Sequence, residues 1–355
     1  MTLADWGWND HWAKLAEQLD VDVGSVARVV GQDRASWSIW KETGPGTARM
    51  LPAHTGDLRP AVGDWIVLEP GPLSGDPSSI LAVFPRTTQI SRGSAGTGGE
   101  EQVLAANVDK VWVVHGLDRD INQRQMERYL AVVWECGASP EIILTKSDMA
   151  EDLVGFVAQA QAVAFGVPIR TVSSKQLESI DNLRETLEPG STISLLGPSG
   201  VGKSTLVNLL AEATLTSTGE VRDGDRKGRH VTTRRELFRL PGGALLLDTP
   251  GMRELRVWLL GEGLDHTFPD IESLAQECRF RDCKHEAEPD CAVKRAVENG
   301  ELEPGRLANF HKLQAEAAYE LRKNDPRARA AEVSAWKTAL KTLKYHPKYK
   351  ERKNE

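Results

Sequence analysis

Only four cysteines occur in 355 residues, and three of them lie between positions 278 and 291. So few thiols do not make a disulfide framework, and a reducing, cytoplasmic setting is expected. No run of about 18 apolar residues occurs, so no membrane span is expected. Residues 1–10 hold Asp5, Asp10, Trp6 and Trp8 instead of a basic and then apolar leader, so no signal peptide is expected. There is no internal repeat. Positive charge is also short: the formal net charge is −7, which argues against a chain coated in nucleic acid.

The charge is uneven. Arg222, Arg226, Lys227, Arg229, Arg234 and Arg235 crowd one segment against Asp223 and Asp225. The stretch 334–355 carries Lys337, Lys341, Lys344, Lys348, Lys350, Arg352 and Lys353 against Glu351 and Glu355. Local basic segments of this kind can meet RNA phosphates even in an acidic chain; a solvated surface is the other reading.

The length suits two or three domains, each with its own core. Residues 1–20 read as a short amphipathic helix through Trp8, Trp12, Leu15 and Leu19. Over 24–90, β-rich runs at 26–30, 37–40, 65–68 and 80–84 alternate with turns such as Gly44-Pro45-Gly46, which predicts a small antiparallel barrel or sandwich. The Gly/Ser-rich segment 91–99 reads as a linker. Beyond it, apolar runs at 111–114, 142–144, 169–172, 193–196 and 244–247 alternate with helical stretches at 123–136, 151–165, 176–187 and 203–212. That alternation predicts a parallel sheet with helices on both faces. Residues 214–235 are polar and basic and read as a loop. A further helix is expected over 303–323, with a basic tail after it.

Three short patterns carry the chemistry. Gly197-Pro198-Ser199-Gly200-Val201-Gly202-Lys203-Ser204-Thr205 follows an apolar run and opens a helical stretch, which is the context a phosphate-binding loop requires. Its glycines let backbone N–H groups wrap phosphates, Lys203 adds a cation for the β- and γ-oxygens, and the Ser204 hydroxyl can sit on Mg²⁺. Asp248-Thr249-Pro250-Gly251 ends the run 244–247; Asp248 can hold Mg²⁺ through water and the Gly251 N–H can meet a γ-phosphate. Thr145-Lys146-Ser147-Asp148 ends the run 142–144, and a carboxylate there can accept from both N1–H and the amine of guanine, a pair of donors that adenine lacks. Ser173 and Ser174 end the next run and fit a second loop around the base. In an ordinary GTPase the base reader follows the other two patterns. Here it precedes them, so the site is expected to be complete but circularly permuted.

Met252 stands after Gly251, where a glutamine could orient water, so intrinsic hydrolysis is expected to be slow or to use another group. His230, in a basic loop with Thr232 and Thr233, is the candidate: an imidazole titrates near neutrality. Thr232 or Thr233 could close onto Mg²⁺ when GTP is bound. Cys278, Cys283, His285 and Cys291 offer three thiols and an imidazole within fourteen residues, as a closed structural Zn²⁺ site does. Cys136 reads as core. Trp37 and Trp40 fall on opposite faces of a strand, so at least one is expected inside.

Together these residues resemble the ribosome small-subunit-dependent GTPase A family. The likeness rests on Gly63-Asp64-Trp65, on Ala105-Ala106-Asn107-Val108-Asp109, on the permuted patterns, on Gly228-Arg229-His230 with Thr232-Thr233, and on the Cys/His spacing. It covers nearly the whole chain; Thr145 stands where the family has Asn, and Val231 where it often has Thr. The resemblance implies an N-terminal OB-fold-like barrel over 1–100, a circularly permuted GTPase domain over 101–262 and a zinc-binding helical domain over 263–355. It also implies a monomeric late assembly factor of the 30S subunit that binds rRNA, GTP and GDP and hydrolyses GTP faster on the subunit. An RNA-binding module gated by GTP with negligible turnover is the alternative, and an ATP-using P-loop enzyme is a third. Because Asp248–Gly251 runs on toward the zinc domain, movement at the γ-phosphate could tilt that domain.

Overall fold

A computed structural model of the chain describes residues 1–33, 36–50, 59–69, 77–93, 101–213, 235–248 and 261–324. The first described turn, Ala4–Trp6, leads into α1 (Asp10–Gln18), whose first amides are capped by the Asn9 side chain. Five strands follow: β1 (Val26–Gln32), β2 (Trp37–Lys41), β3 (Gly44–Met50), β4 (Trp65–Leu68) and β5 (Ser78–Val83). They pair in the order β1-β2-β3-β5-β4, and β4 pairs back onto β1, so the sheet closes into a barrel. Val29, Ile39, Ile66 and Ile80 fill its interior. Trp12 and Ala16 of α1 cover one end of it, against Trp65 and Phe84.

Three local expectations are corrected. Gly44-Pro45-Gly46 is the start of β3, not a turn, with Pro45 opposite Trp40. Residues 91–93 belong to a strand, β6 (Gln89–Gly93), which pairs with β7 (Glu101–Ala106); the rest of the 91–99 segment lies outside the described residues. Leu19 is 48 % exposed and lies off the buried face of α1. Both tryptophans of the pair are used in packing: Trp37 is buried and donates to the Pro60 carbonyl, and Trp40 lies 4.9 Å from Trp6, ring to ring.

The second half builds an α/β layer. β8 (Lys110–Gly116), β9 (Ser139–Thr145), β10 (Ile169–Thr171), β11 (Thr192–Leu196) and β13 (Leu245–Asp248) are parallel, in the order β10-β9-β8-β11-β13. The runs of β8, β9, β11 and β13 are buried on both faces, as a covered parallel sheet requires, while edge strand β10 is half-buried. In β8, Val111 and Val113 face the core that includes α2 (Gln123–Glu135), while Trp112 and Val114 face α4 (Leu177–Arg184) and α5 (Lys203–Ala211). α3 (Leu153–Gln161) joins β9 to β10 and is capped by Asp152. Cys136, just past α2, packs against this core.

β12 (Arg235–Arg239) was hidden by its charge. It pairs antiparallel with β13 on one side and with β1 on the other, so one sheet runs from the α/β layer into the barrel. At this seam the two sequence signatures 63–65 and 105–109 meet. Asn107 Nδ2 donates to the Gly63 carbonyl at 3.0 Å, and Arg86 grips Asp64 with two hydrogen bonds of 2.8 Å. Arg28 of β1 is buried there over the Trp65 ring and donates to the Asn107 carbonyl and Thr192 Oγ1. Burial pulls its guanidinium down to about 10, against the pull of Asp109 and Asp64.

The C-terminal part is helical: α6 (Glu262–Thr267), α7 (Pro269–Ala275), α8 (Ala292–Glu298) and α9 (Pro304–Asn324). Among the described residues no helix is long and apolar enough to cross a membrane.

Candidate nucleotide site and metal centre

From β8 the chain steps outward through β9 to β10, then returns to lay β11 on the other side of β8. The order therefore reverses between β8 and β11, the place where open α/β sheets bind ligands beyond the carboxyl ends of their strands. The segments singled out in the sequence all leave that edge: 146–148 after β9, 173–174 after β10, 197–202 after β11, and Asp248 at the end of β13.

The loop after β11 turns at once. Gly197 has φ 153°, and a Cβ there would stand 2.3 Å from the Val114 carbonyl oxygen, so no other residue fits. Pro198 is half-buried, Ser199 and Gly200 are exposed, and Val201 is buried beneath them. Gly202 precedes α5, whose first turn holds Lys203, Ser204 and Thr205 and aims its free N–H groups at the loop. Lys203 Nζ donates to the carbonyls of Gly197 (2.7 Å) and Pro198 (2.6 Å), so the ammonium spans the concave side of the loop.

Thr145 is buried under this loop. Its hydroxyl lies 2.5 Å from the Val201 carbonyl and 3.2 Å from that of His115, making it a strut between β9, β8 and the phosphate loop. Lys146 has φ 57°, and its Nζ donates to Asp118 Oδ2 and to the Gly200 carbonyl, each at 2.8 Å. Asp148 takes the Ser173 hydroxyl on Oδ1 at 2.5 Å and the Lys175 ammonium on Oδ2 at 2.7 Å. Lys175, then Ser173, hold the Asp148 carboxyl below its ordinary range, so it is an anion at neutral pH. Ser174 is exposed beside them.

Asp118 was not anticipated. Burial pushes its carboxyl up, but hydrogen bonds from Lys146 and Arg119 outweigh that and hold it at about 2. A carboxylate two residues past a buried strand, at the ligand edge, was the available signal. His115, next to the end of strand β8, is also buried; burial holds its imidazole below the ordinary range, and its Nε2 finds no partner among the described residues. His230, Thr232, Thr233, Gly251 and Met252 lie outside the described residues, and for Asp248 only the backbone is described.

In the helical part, Cys278, Cys283, His285 and Cys291 bring one ligand atom each to within 4.8 Å of the others. Cys278 Sγ lies 3.9 Å from Cys291 Sγ and 3.6 Å from His285 Nδ1, which is 3.4 Å from Cys291 Sγ. A tetrahedron with metal–sulfur bonds of about 2.3 Å and metal–nitrogen bonds of about 2.0 Å needs S···S near ~3.8 Å and S···N near ~3.5 Å. The donor set and its spacing thus fit one closed, structural metal ion.

This part is fastened to α2 by buried charge. Arg306 Nη1 bonds Glu127 Oε1 at 2.8 Å, while its Nε and Nη2 grip Asp270 at 2.7 and 2.8 Å. Asn309 donates to the other Glu127 oxygen at 2.6 Å, and Glu127 is fully buried. At the far end of α2, Glu135 accepts the amides of Gly261 (2.9 Å) and Gly263 (3.0 Å).

The family model described as RsgA GTPase matches residues 83–258. A protein of Oceanobacillus iheyensis called "Small ribosomal subunit biogenesis GTPase RsgA 1" is 42% identical over 90% of this chain and 92% of its own length. A "Small ribosomal subunit biogenesis GTPase RsgA 2" of Listeria monocytogenes serotype 4b is 41% identical over 99% of this chain and 100% of its own. Among solved structures, YjeQ from Thermotoga maritima superposes with a TM-score of 0.63 at 26% identity, covering 83% of this chain and 98% of that one. YloQ, described as a circularly permuted GTPase, is similar in fold with a TM-score of 0.60 at 24% identity, over 82% and 94% of the two chains.

Proposed function

The chain belongs to the RsgA GTPase family, and from that premise we propose that it hydrolyses GTP to GDP and phosphate as a late assembly and release factor of the small ribosomal subunit. The observation that carries the reading is the convergence of the loop 197–202, Lys146, Asp148 and Ser173 on one sheet edge, at the point where strand order reverses. Asp148 accepts from guanine, with Ser173 holding its carboxylate and Ser174 contributing backbone beside the base. The loop amides and Lys203 stabilise charge on the transferred phosphoryl group. Ser204 and Asp248 would hold Mg²⁺ with the nucleotide, and bound there it supplies further charge neutralisation. In this reading the Gly251 N–H would meet the γ-phosphate, Thr232 or Thr233 would close onto Mg²⁺, and His230 would orient water where Met252 cannot.

The metal in the Cys₃His cluster is zinc: three thiolates and an imidazole suit that ion. The division at about residues 100 and 262 into barrel, GTPase and metal-binding parts fits this assignment of roles. The partner surface is 30S rRNA, met by local basic segments. The protein acts as a cytoplasmic monomer.

Phosphate release by the purified protein, with GTP or ATP and with or without 30S subunits, tests the proposal. Slow, GTP-selective release that rises many-fold with 30S is expected. Release that ignores 30S, or that favours ATP, would contradict it; GTP-dependent RNA binding without turnover would replace it by a gated RNA-binding module.

A further inference from the structure

Two carboxylates, Asp118 after β8 and Asp148 after β9, stand at neighbouring strand ends on this edge. Asp148 belongs to the pattern that suggested guanine. Asp118 belongs to no pattern: it stands two residues beyond β8, at the strand where the sheet order reverses. We propose that Asp118 is a positioning residue for Lys146, holding that side chain on the base side of the site and against the phosphate loop. The inference rests on the reading of Lys146 and Asp148 as base-side groups.

The geometry is a three-part tie. Lys146 Nζ lies 2.8 Å from Asp118 Oδ2 and 2.8 Å from the Gly200 carbonyl. It therefore joins the ends of β8 and β9 to the middle of the phosphate loop. The two charged side chains are 21% and 28% exposed, so the pair is sheltered but not sealed. Gly116 makes room for it: a Cβ there would stand 2.7 Å from Asp118 Oδ1 and 3.6 Å from Lys146 Cδ.

The need for an anchor follows from charge. A nucleoside di- or triphosphate brings several negative charges to the same loop. Lysine is a compact cation on a flexible four-carbon stem. With only a neutral carbonyl as partner, Lys146 would swing toward the phosphates, and Lys203 already serves them. An anionic carboxylate gives a stronger, charge-assisted hydrogen bond and fixes the direction of the stem. Asp118 stays ionised throughout the neutral range, so the anchor is permanent.

An anchor on the base side acts on bound GDP and bound GTP alike. Its loss raises KM and weakens both nucleotides equally, leaving kcat at saturating GTP unchanged. The test is a double-mutant cycle on the full-length protein, read as the dissociation constant of a fluorescent GDP. Asp118→Asn keeps the shape and removes the charge; it is expected to weaken binding about two- to fivefold. Lys146→Ala should weaken it further, and the double variant should be no worse than Lys146→Ala alone. A purely structural Asp118 would instead lower the melting temperature and give additive losses, and either result overturns the positioning role. An unchanged affinity in Lys146→Ala overturns the base-side reading itself, and this proposal with it.

Discussion

The nucleotide edge and the seam between α2 and the C-terminal helices are held in contrasting ways. At the nucleotide edge the ties are partly exposed pairs: Lys146 with Asp118, and Lys175 with Asp148, whose lysine is 74% exposed. At α2, Glu127 and Arg306 pair at 0% and 5% exposure, with Asp270, Asn309, Arg124 and the Thr267 carbonyl taking the remaining bonds. The difference is one of exchangeability. A solvent-screened pair contributes at most about 1 kcal/mol and can trade partners as a ligand comes and goes. A buried pair cannot part without stranding a charge. The ties at the nucleotide edge can exchange partners, whereas buried charge couples the metal-bearing helices to α2. This sharpens the idea that the metal-binding part tilts with the γ-phosphate. The residues entering that part, Gly261 and Gly263, are themselves clamped by Glu135. A tilt of that part would therefore act on α2 as well.

The comparison can be broken at the metal first. Stripping the ion with a chelator, or Cys291→Ser, should cost the most, because sites of this kind supply on the order of 10 kcal/mol of folding energy. Elemental analysis should find the metal gone and circular dichroism should find helix lost, while GDP still binds. Unchanged melting after the metal is removed would contradict its structural role. Next in size is Glu127→Ala, which leaves the Arg306 guanidinium buried without that partner. Denaturant unfolding should show a loss of about 3–5 kcal/mol, with GDP affinity near wild type under folding conditions. A loss below about 1 kcal/mol would mean that the buried pair behaves like a surface one. The Asp118 cycle is the smallest of the three, at a few-fold in affinity, and it probes the exchangeable side.

What the sequence disclosed follows from locality. The phosphate loop is nine contiguous residues and the metal ligands lie within fourteen, so chemistry and spacing could be read directly. The buried strands announced themselves as apolar runs. β12 did not, because Arg235, Glu236 and Arg239 disguise a strand whose function is to join two sheets. β3 was hidden by an opening Gly-Pro-Gly that a barrel strand tolerates where Pro45 needs no donor. Asp118 and Lys146 are 28 residues apart, and Glu127 and Arg306 are 179 apart. No spacing rule links such residues; only the pairing of β8 with β9, which sets Gly116 beside Thr145, and the return of α9 onto α2 bring them together. Glu127 amid the apolar residues Met126, Leu130 and Val133 was the one local hint of a buried partner.

Asp148 is proposed to read guanine, and exchanging its acceptor for a donor tests this most directly. Asp148→Asn should lose GTP and gain xanthosine triphosphate, which carries an oxygen where guanine carries its amine. Competition binding of the two nucleotides to the wild-type protein and the variant should show the preference reversing. If the variant keeps its preference for GTP, guanine is read elsewhere and the assignment of this edge is wrong.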